Sequence, residues 1–495
     1  MLTVLEEKPW AYALNNSAAK KYCHFCFNKI TSPIKCSDCR FAKYCSTNCA
    51  EKAAHEHKPE CRLLRAAERI PNEKIRLMSR ILIKLQRGEE APGPRVNVNL
   101  QDFNYNSYHD LESCEKEMAA DEERMMEFCS IQKALQAYMT KRMLPEASEL
   151  FKIYCRMARN VFNIPSSTMI PVGIGIYLTL SQLKHSCSPN SMIIYDGVTG
   201  HLNFFGEIDE DAKPELAKIS ISYLPMIGDR AERRRALQKR YYFTCQCIRC
   251  MNDGQNSLES SCTCPVGSCR GHEFEVENCG DSKCEMSNET ATVLCPADLM
   301  IRTPDDFAQI KRAVRAGNAA LMSRLNYMYV AAEGFLEKHE NTLLPTHVQL
   351  IRTESVMAKA AYFKGSYIEA TSLYENIIWR LERYMPENLP LLSLAEMAVS
   401  RLCLMTGDLV RTKQHLLNAC DLSRRCYRRE HPTHNMVLRF LDDCERRLIG
   451  KGIDPYGIEY KPSEIKSITT LQGKPKGSGS GDKEEKEDKE HNKTR

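Results

Sequence analysis

The chain has 495 residues, 43% of them hydrophobic and 27% charged, with a formal net charge of +5. That length exceeds what one core holds, so roughly two to four domains are expected. So small a cationic excess makes no case for nucleic-acid binding, the lack of any run of about 18 apolar residues predicts no membrane span, and Glu6 and Glu7 within the first apolar run argue against a secretory signal.

A reducing compartment, nucleus or cytoplasm, is therefore the expected location. There the 24 cysteines cannot be assumed to form disulfides. Twenty lie before residue 300, many in closely spaced pairs, which points to zinc. The later four (Cys403, Cys420, Cys426, Cys444) are isolated and read as small buried apolar residues.

Residues 1–22 are strand-like, with Trp10, Tyr12 and Leu14 alternating. A cysteine-dense block fills 23–61. Its candidate ligands are Cys23, Cys26, Cys36, Cys39, Cys45, Cys49, His57 and Cys61, eight in 39 residues, with His55 a poorer substitute for His57. Zinc takes four thiolate or imidazole ligands in a tetrahedron, so eight fill two closed, structural sites. The x2 pairs fit knuckle turns, and the x3 pairs, Cys45/Cys49 and His57/Cys61, fit one turn of a helix.

Residues 62–164 read mostly helical. IRLMSRILIKLQ (75–86) carries a broad apolar face, and PEASELFKIYCRMARNVF (145–162) reads as an amphipathic helix, with the polar stretch GEEAPGPRVNVNLQDFNYN as a loop between them. From 165 to 243 the pattern changes to short β-branched and aromatic runs, SMIIYDG, HLNFFGEI and AKISISYL, separated by turn residues. At 183–190 stands LKHSCSPN. A cysteine beside a histidine can be a nucleophile, and Cys187 can equally be a metal ligand. A second cysteine block spans 244–300. Cys245, Cys247 and Cys250 supply three thiolates that want a fourth, with Cys262 and Cys187 as candidates, and CTCPVGSC (262–269) with Cys279, Cys284 and Cys295 could hold a further ion.

Residues 301–447 are helical again. YFKGSYIEATSLYENI (362–377) resembles LMTGDLVRTKQHLLNA (404–419), with Gly365 and Gly407 each expected at a helix–turn–helix junction. The 42-residue offset is longer than the tetratricopeptide period of about 34. Residues 448–495 read as a linker and a charged low-complexity tail, disordered from about 471.

KYCSTNC and HKPEC resemble a MYND zinc finger, with Ala54 where that family usually has tryptophan. HSCSPN, followed about 50 residues on by YYFTCQCIRC, resembles the motifs of SET-domain lysine methyltransferases, so residues 1–447 as a whole resemble the SET–MYND family. The resemblance implies an α+β multidomain fold. A β-rich SET core (1–22 and 165–243) is split by the finger (23–61) and a helical insert (62–164), then followed by a cysteine-rich post-SET segment (244–300) and an all-α tetratricopeptide-like domain (301–447).

It also implies interleaved zinc pairing, Cys23, Cys26, Cys45 and Cys49 at one ion and Cys36, Cys39, His57 and Cys61 at the other. Cys187 joins Cys245, Cys247 and Cys250 at a third. S-adenosylmethionine is the implied cofactor and a histone or non-histone lysine the implied substrate. Tyr223 matches the catalytic tyrosine, Tyr241 a second channel tyrosine, and His185 and Phe243 cofactor-side residues. Lys184 stands where the family motif has asparagine, a cation in place of a hydrogen-bond acceptor. No Gly-x-Gly strand precedes KPWAYAL, so residues 1–22 read as a truncated SET segment, and KPELAKISISY departs from the family's GEEL segment. The alternative expectation is a weak or inactive relative that serves as an interaction scaffold and transcriptional regulator, with peptide partners at the finger. A DNA-binding zinc protein ranks third, since no basic recognition helix follows the finger.

Overall fold

The computed structural model describes residues 2–90, 93–96, 107–167, 170–205, 218–224, 227–253, 316–339, 343–384 and 389–457. The expected further zinc ligands at 262–295 and the low-complexity tail lie outside the described residues. The chain mixes helix and strand in its first half and is helical towards its C-terminus. Among the described residues no helix is long and apolar enough to cross a membrane.

The first apolar run makes two strands, β1 (Leu2–Glu7) and β2 (Ala11–Leu14). β1 lies in a four-stranded antiparallel sheet in the order β5-β1-β10-β9, with β5 at Arg95–Val96, β9 at Ser191–Asp196 and β10 at Thr199–Phe204. Part of the stretch expected as a plain loop therefore pairs with the edge of β1. β2 joins β6 (Val161–Pro165) and β7 (Pro171–Ile176) in the order β2-β7-β6.

The alternation expected around Tyr12 does not divide inside from outside, because all four residues of β2 are buried. Trp10 stacks on Tyr108 at 5.2 Å, while Tyr12 meets Phe27 edge-on at 5.5 Å. The strand is thus covered on one face by the helical insert and on the other by the start of the cysteine block. Glycine is needed where these layers meet: a Cβ on Gly173 would fall 2.2 Å from the Phe27 ring.

After the short antiparallel pair β3 (Ile34–Lys35) and β4 (Lys43–Tyr44), the helix α1 (Thr47–Ala66) opens at Ser46, whose side chain accepts from the Cys49 amide. Cys45 therefore precedes the helix, and only Cys49 of that x3 pair is helical. The cap explains the departure from the one-turn expectation. In α2 (Glu73–Gln86) every residue from Ile75 to Ile83 is buried. Burial of Ile75, Leu77, Met78, Ile81 and Leu82 stabilises the fold by about 1.5–3 kcal/mol per side chain. The expected apolar face is only part of it, since Arg76, Ser79 and Arg80 are buried too. Arg80 donates to the Tyr12 carbonyl at 2.7 Å, Arg76 donates to the Leu14 carbonyl, and both face Glu60 of α1. Three further helices, α3 (Glu115–Ala120), α4 (Glu122–Tyr138) and α5 (Ala147–Asn160), complete this layer.

Glu7 closes β1 as an acceptor. Its carboxylate takes the Thr179 and Leu180 amides, each at 2.9 Å. Burial pushes its carboxyl up to about 7 against the pull of those amides.

Towards the C-terminus, α8 (Ala319–His339), α9 (Val348–Lys364), α10 (Tyr367–Tyr384), α11 (Leu389–Thr406), α12 (Leu409–Cys426) and α13 (Pro432–Gly450) pack in sequence. Gly365 (φ +85°) and Gly407 (φ +82°) turn the chain at the α9–α10 and α11–α12 junctions, in a left-handed conformation that favours glycine. Among the described residues, hydrogen bonds tie the stack to the first half in two regions. Asn203 donates to the Cys426 carbonyl at 3.1 Å and Thr433 to the Ser167 carbonyl at 2.7 Å. Arg352 grips Glu232 through two bonds of 2.7 and 2.9 Å, and the Tyr384 hydroxyl donates to the Gly228 carbonyl at 2.8 Å.

Within the stack, His415 lies between Glu396 (2.6 Å) and Glu375 (3.1 Å). Burial alone would lower its pKa, but the two carboxylates outweigh burial and raise it from 6.5 to about 9. A raised histidine stabilises the fold fully below its ordinary value and loses that contribution as pH rises through the folded one. Thermal unfolding followed at pH 6.5 and 9.5 is expected to show a loss of roughly 3 kcal/mol from this group, and a His415→Gln protein is expected to lack that fall. Equal pH dependence in the two proteins would sink the assignment.

Candidate metal centres and active site

The structure gathers twelve of the sequence's candidate ligands into three groups, with the ligand atoms of each group within 4.8 Å of one another. Cys23, Cys26, Cys45 and Cys49 form the first, Cys36, Cys39, His57 and Cys61 the second, and Cys187, Cys245, Cys247 and Cys250 the third. Zinc–sulfur bonds of about 2.3 Å in a tetrahedron require sulfurs roughly 3.8 Å apart. The Sγ distances match: Cys26 to Cys45 3.6 Å, Cys36 to Cys61 3.6 Å, Cys187 to Cys245 3.9 Å and Cys187 to Cys250 3.6 Å. Four soft donors at that spacing fit zinc, and no group leaves an open position for chemistry, so these are zinc-binding clusters of the structural kind.

The second group has a partner beyond its ligands. His57 turns Nε2 to Cys39 at 3.6 Å, and its Nδ1 faces the buried Glu60 carboxylate at 3.9 Å. The third group is ringed by arginines. From α6 (Arg230–Tyr241), Arg234 donates to the Cys245 carbonyl at 3.1 Å and Arg233 approaches Cys250 Sγ at 3.9 Å. Arg249, in α7 (Ile248–Met251), donates to the Cys187 carbonyl at 2.9 Å. Four thiolates on one divalent ion carry a net charge of −2, which these guanidinium groups offset. The sequence reading missed them, although the run Arg233–Arg234–Arg235 before the CxCxxC motif is the signal that could have found them.

Two distant motifs meet beside the third group. β8 (Lys184–His185) pairs in parallel with β11 (Ser220–Ile221), and Asn190 locks them by accepting from the Ser220 amide at 2.8 Å and donating to the Lys218 carbonyl at 2.9 Å. His185 thereby reaches the Tyr223 amide, which donates to Nδ1 at 3.0 Å, while Nε2 lies 3.2 Å from Cys187 Sγ. The buried stripe of α6 is Arg233, Leu237 and Tyr241 at four-residue spacing, so one helix face sets both a thiolate neighbour and a tyrosine. Tyr242 ends the helix in the left-handed region (φ +59°), held by its hydroxyl bond to Asp121 at 2.9 Å, and so turns Phe243 back towards His185.

The result is an aromatic cluster. Ring centroids lie at 4.9 Å for Tyr223–Tyr241, 5.2 Å for His185–Tyr223 and 6.0 Å for His185–Phe243. Burial holds the Tyr223 phenol up at about 12, so it stays protonated, and it donates to the Leu183 carbonyl. Its oxygen lone pairs remain available as acceptors.

Tyr223 and Tyr241 form part of the wall of a cavity of about 130 Å³, together with Phe162, Asn160 and three charged residues, Glu112, Arg159 and Arg240. His185, Phe243 and Lys184 are not in that wall. The Lys184 side chain is exposed on β8. The cavity falls below the roughly 300 Å³ of a typical small-molecule pocket, and suits one slender side chain.

Residues 23–61 match the MYND finger family. Among curated proteins, the chain is 31% identical over 255 residues to histone-lysine N-methyltransferase SMYD3 of Homo sapiens, covering 50% of this chain and 56% of that relative. The match thus spans about half the length of that curated relative. It is 24% identical over 435 residues to histone-lysine N-methyltransferase ASHR1 of Arabidopsis thaliana, covering 85% of this chain and 86% of the relative, and 28% identical over 326 residues to SET domain-containing protein 14 of Caenorhabditis elegans, covering 64% and 67%.

Proposed function

We propose that this chain, which belongs to the SET–MYND family, is an S-adenosylmethionine-dependent protein-lysine N-methyltransferase. The observation that carries the reading is the small cavity walled by Tyr223 and Tyr241, with His185 and Phe243 on the other side of the same aromatic cluster. Methyl transfer needs an unprotonated amine aimed along the bond that breaks. An aromatic wall removes water from the amine and disfavours its charged form, and fixed walls hold it in line. In this reading the Tyr223 oxygen, its proton committed to Leu183, accepts from the amine or contacts the methyl group, and Tyr241 sets the width of the channel.

The residues behind the tyrosines suit the cofactor chemically. His185 and Phe243 keep part of their ring surface open for an adenine, and Lys184, on the same strand as His185, offers an exposed cation for a carboxylate. When bound, the cofactor would supply an electrophilic methyl on sulfur. Cys187 belongs in this reading to the third zinc site, not to a nucleophile. Residues 1–22 and 165–243 would form the SET core, and the finger a docking point for peptides. Lys184 standing where the family motif has asparagine removes a hydrogen-bond acceptor, which favours a second reading, an inactive scaffold.

The two readings separate in one experiment. The zinc-loaded full chain is titrated with S-adenosylhomocysteine by calorimetry and assayed on lysine peptides. Heat of binding together with methyl transfer supports the enzyme, and no binding overturns it. Tyr223→Phe is expected to lower kcat by roughly 100-fold or more while cofactor affinity and Tm hold. Unchanged turnover would remove Tyr223 from the reaction.

A further inference from the structure

The cavity's charged wall has a use that the aromatic wall does not explain. Arg159 gives two N–H groups, from Nε and Nη2, to the same Glu112 oxygen, and a third from Nη1 to the Tyr241 carbonyl at 2.7 Å. Glu112 is thereby neutralised, and its side chain is 76% exposed, which places this wall where the cavity meets solvent. Arg240 is different. Its guanidinium lies 5.2 Å from the Tyr241 ring and makes a long 3.5 Å bond to the Val161 carbonyl, and among the described residues no carboxylate pairs with it. The rim of the cavity therefore carries one uncompensated positive charge.

On the reading that this cavity admits the substrate's lysine, we propose that Arg240 selects target lysines flanked by acidic residues and disfavours those in basic tails. An extended peptide places its neighbouring residues about 3.3–3.6 Å of chain apart, so side chains one or two positions from the inserted lysine reach the rim. A glutamate or aspartate there gains a guanidinium partner suited to bidentate pairing, whereas a flanking lysine or arginine meets a like charge. The chemistry recognised is a carboxylate next to an inserted lysine.

The test needs no methyl transfer. Three fluorescein-labelled peptides, each with a single lysine flanked on both sides by glutamate, alanine or arginine, are titrated against the full zinc-loaded chain by anisotropy. The acid-flanked peptide is expected to bind about tenfold tighter than the basic one at low salt, and the difference to shrink as salt screens it. Arg240→Gln should abolish the preference and Arg240→Glu reverse it, with Arg240→Lys retaining part of it. If Arg240→Glu fails to fold, the Gln and Lys proteins decide the matter. Equal binding of all three peptides, or a preference that survives Arg240→Gln, overturns the proposal. Methyl transfer without any flank preference would leave the enzyme reading standing and remove this one. A flank preference without methyl transfer would do the reverse.

Discussion

Replacing Cys187 by alanine is expected to remove one equivalent of zinc from the protein and to destabilise it strongly, as loss of any ligand of the third group should. Cys187 is 2% exposed, its sulfur lies within 4 Å of those of Cys245 and Cys250, and its amide donates to Cys247 Sγ at 3.3 Å. A structural zinc contributes about 10–16 kcal/mol of apparent binding energy, which is folding energy when the site does not exist in the unfolded chain. Three thiolates ringed by Arg233, Arg234 and Arg249 cannot close a tetrahedron. The segment carrying Tyr241 and Phe243 would then lose its tether to the strand carrying His185, so on the proposed methyltransferase reading cofactor affinity should fall with the metal. Elemental analysis of wild type and variant, with thermal unfolding, measures both effects. Cys262→Ala is the control, because Cys262 is the rival fourth ligand in the sequence and lies outside the described residues. Zinc retained in Cys187→Ala and lost in Cys262→Ala would refute the assignment.

The parts of the fold that could be read from the chain are those governed by local spacing. The CxxC pairs announce metal whatever surrounds them, because ligand geometry is set within a few residues. Gly365 and Gly407 announce turns, because each must take a positive φ that other residues avoid. Periodicity placed α2 but not its surroundings. Arg76 and Arg80 look like a solvated edge in sequence, and only the arrival of Glu60 and the β2 carbonyls from elsewhere makes their burial tolerable. The candidate site shows the same limit. Tyr223, Tyr241, His185 and Phe243 could be named by motif, whereas Glu112, Arg159 and Arg240 belong to no local pattern. They meet only because α5, α6 and the loop before α3 converge on one cavity. The motif singles out Lys184, whereas its exposure on β8 depends on how that short strand is paired.

Glu60→Ala is the second large effect expected, and it separates packing from metal chemistry. Glu60 is 2% exposed and sits 2.5 Å from Arg80, 3.7 Å from Arg76 and 3.9 Å from His57 Nδ1. Burial would raise its carboxyl, but Arg80 above all, then His57 and Arg76, hold it far below the usual range. Truncation strands two buried guanidinium groups, and breaking a buried pair in this way costs about 3–5 kcal/mol. The joint lies between α1 of the finger and α2 of the helical layer, so both should loosen together. A triple variant, Glu60→Met with Arg76→Met and Arg80→Met, removes the stranded charges, and replacement of a buried ion network by apolar side chains is often close to neutral. It is expected to recover part of the lost stability, the remainder reflecting the Tyr12 and Leu14 carbonyls that lose their donors. His57 would still lack its carboxylate, and loss of such an outer partner weakens metal binding by roughly 10- to 100-fold. Chelator competition should therefore show weakened zinc in both variants while unfolding separates them. Zinc affinity that recovered along with stability would mean that Glu60 serves the fold alone.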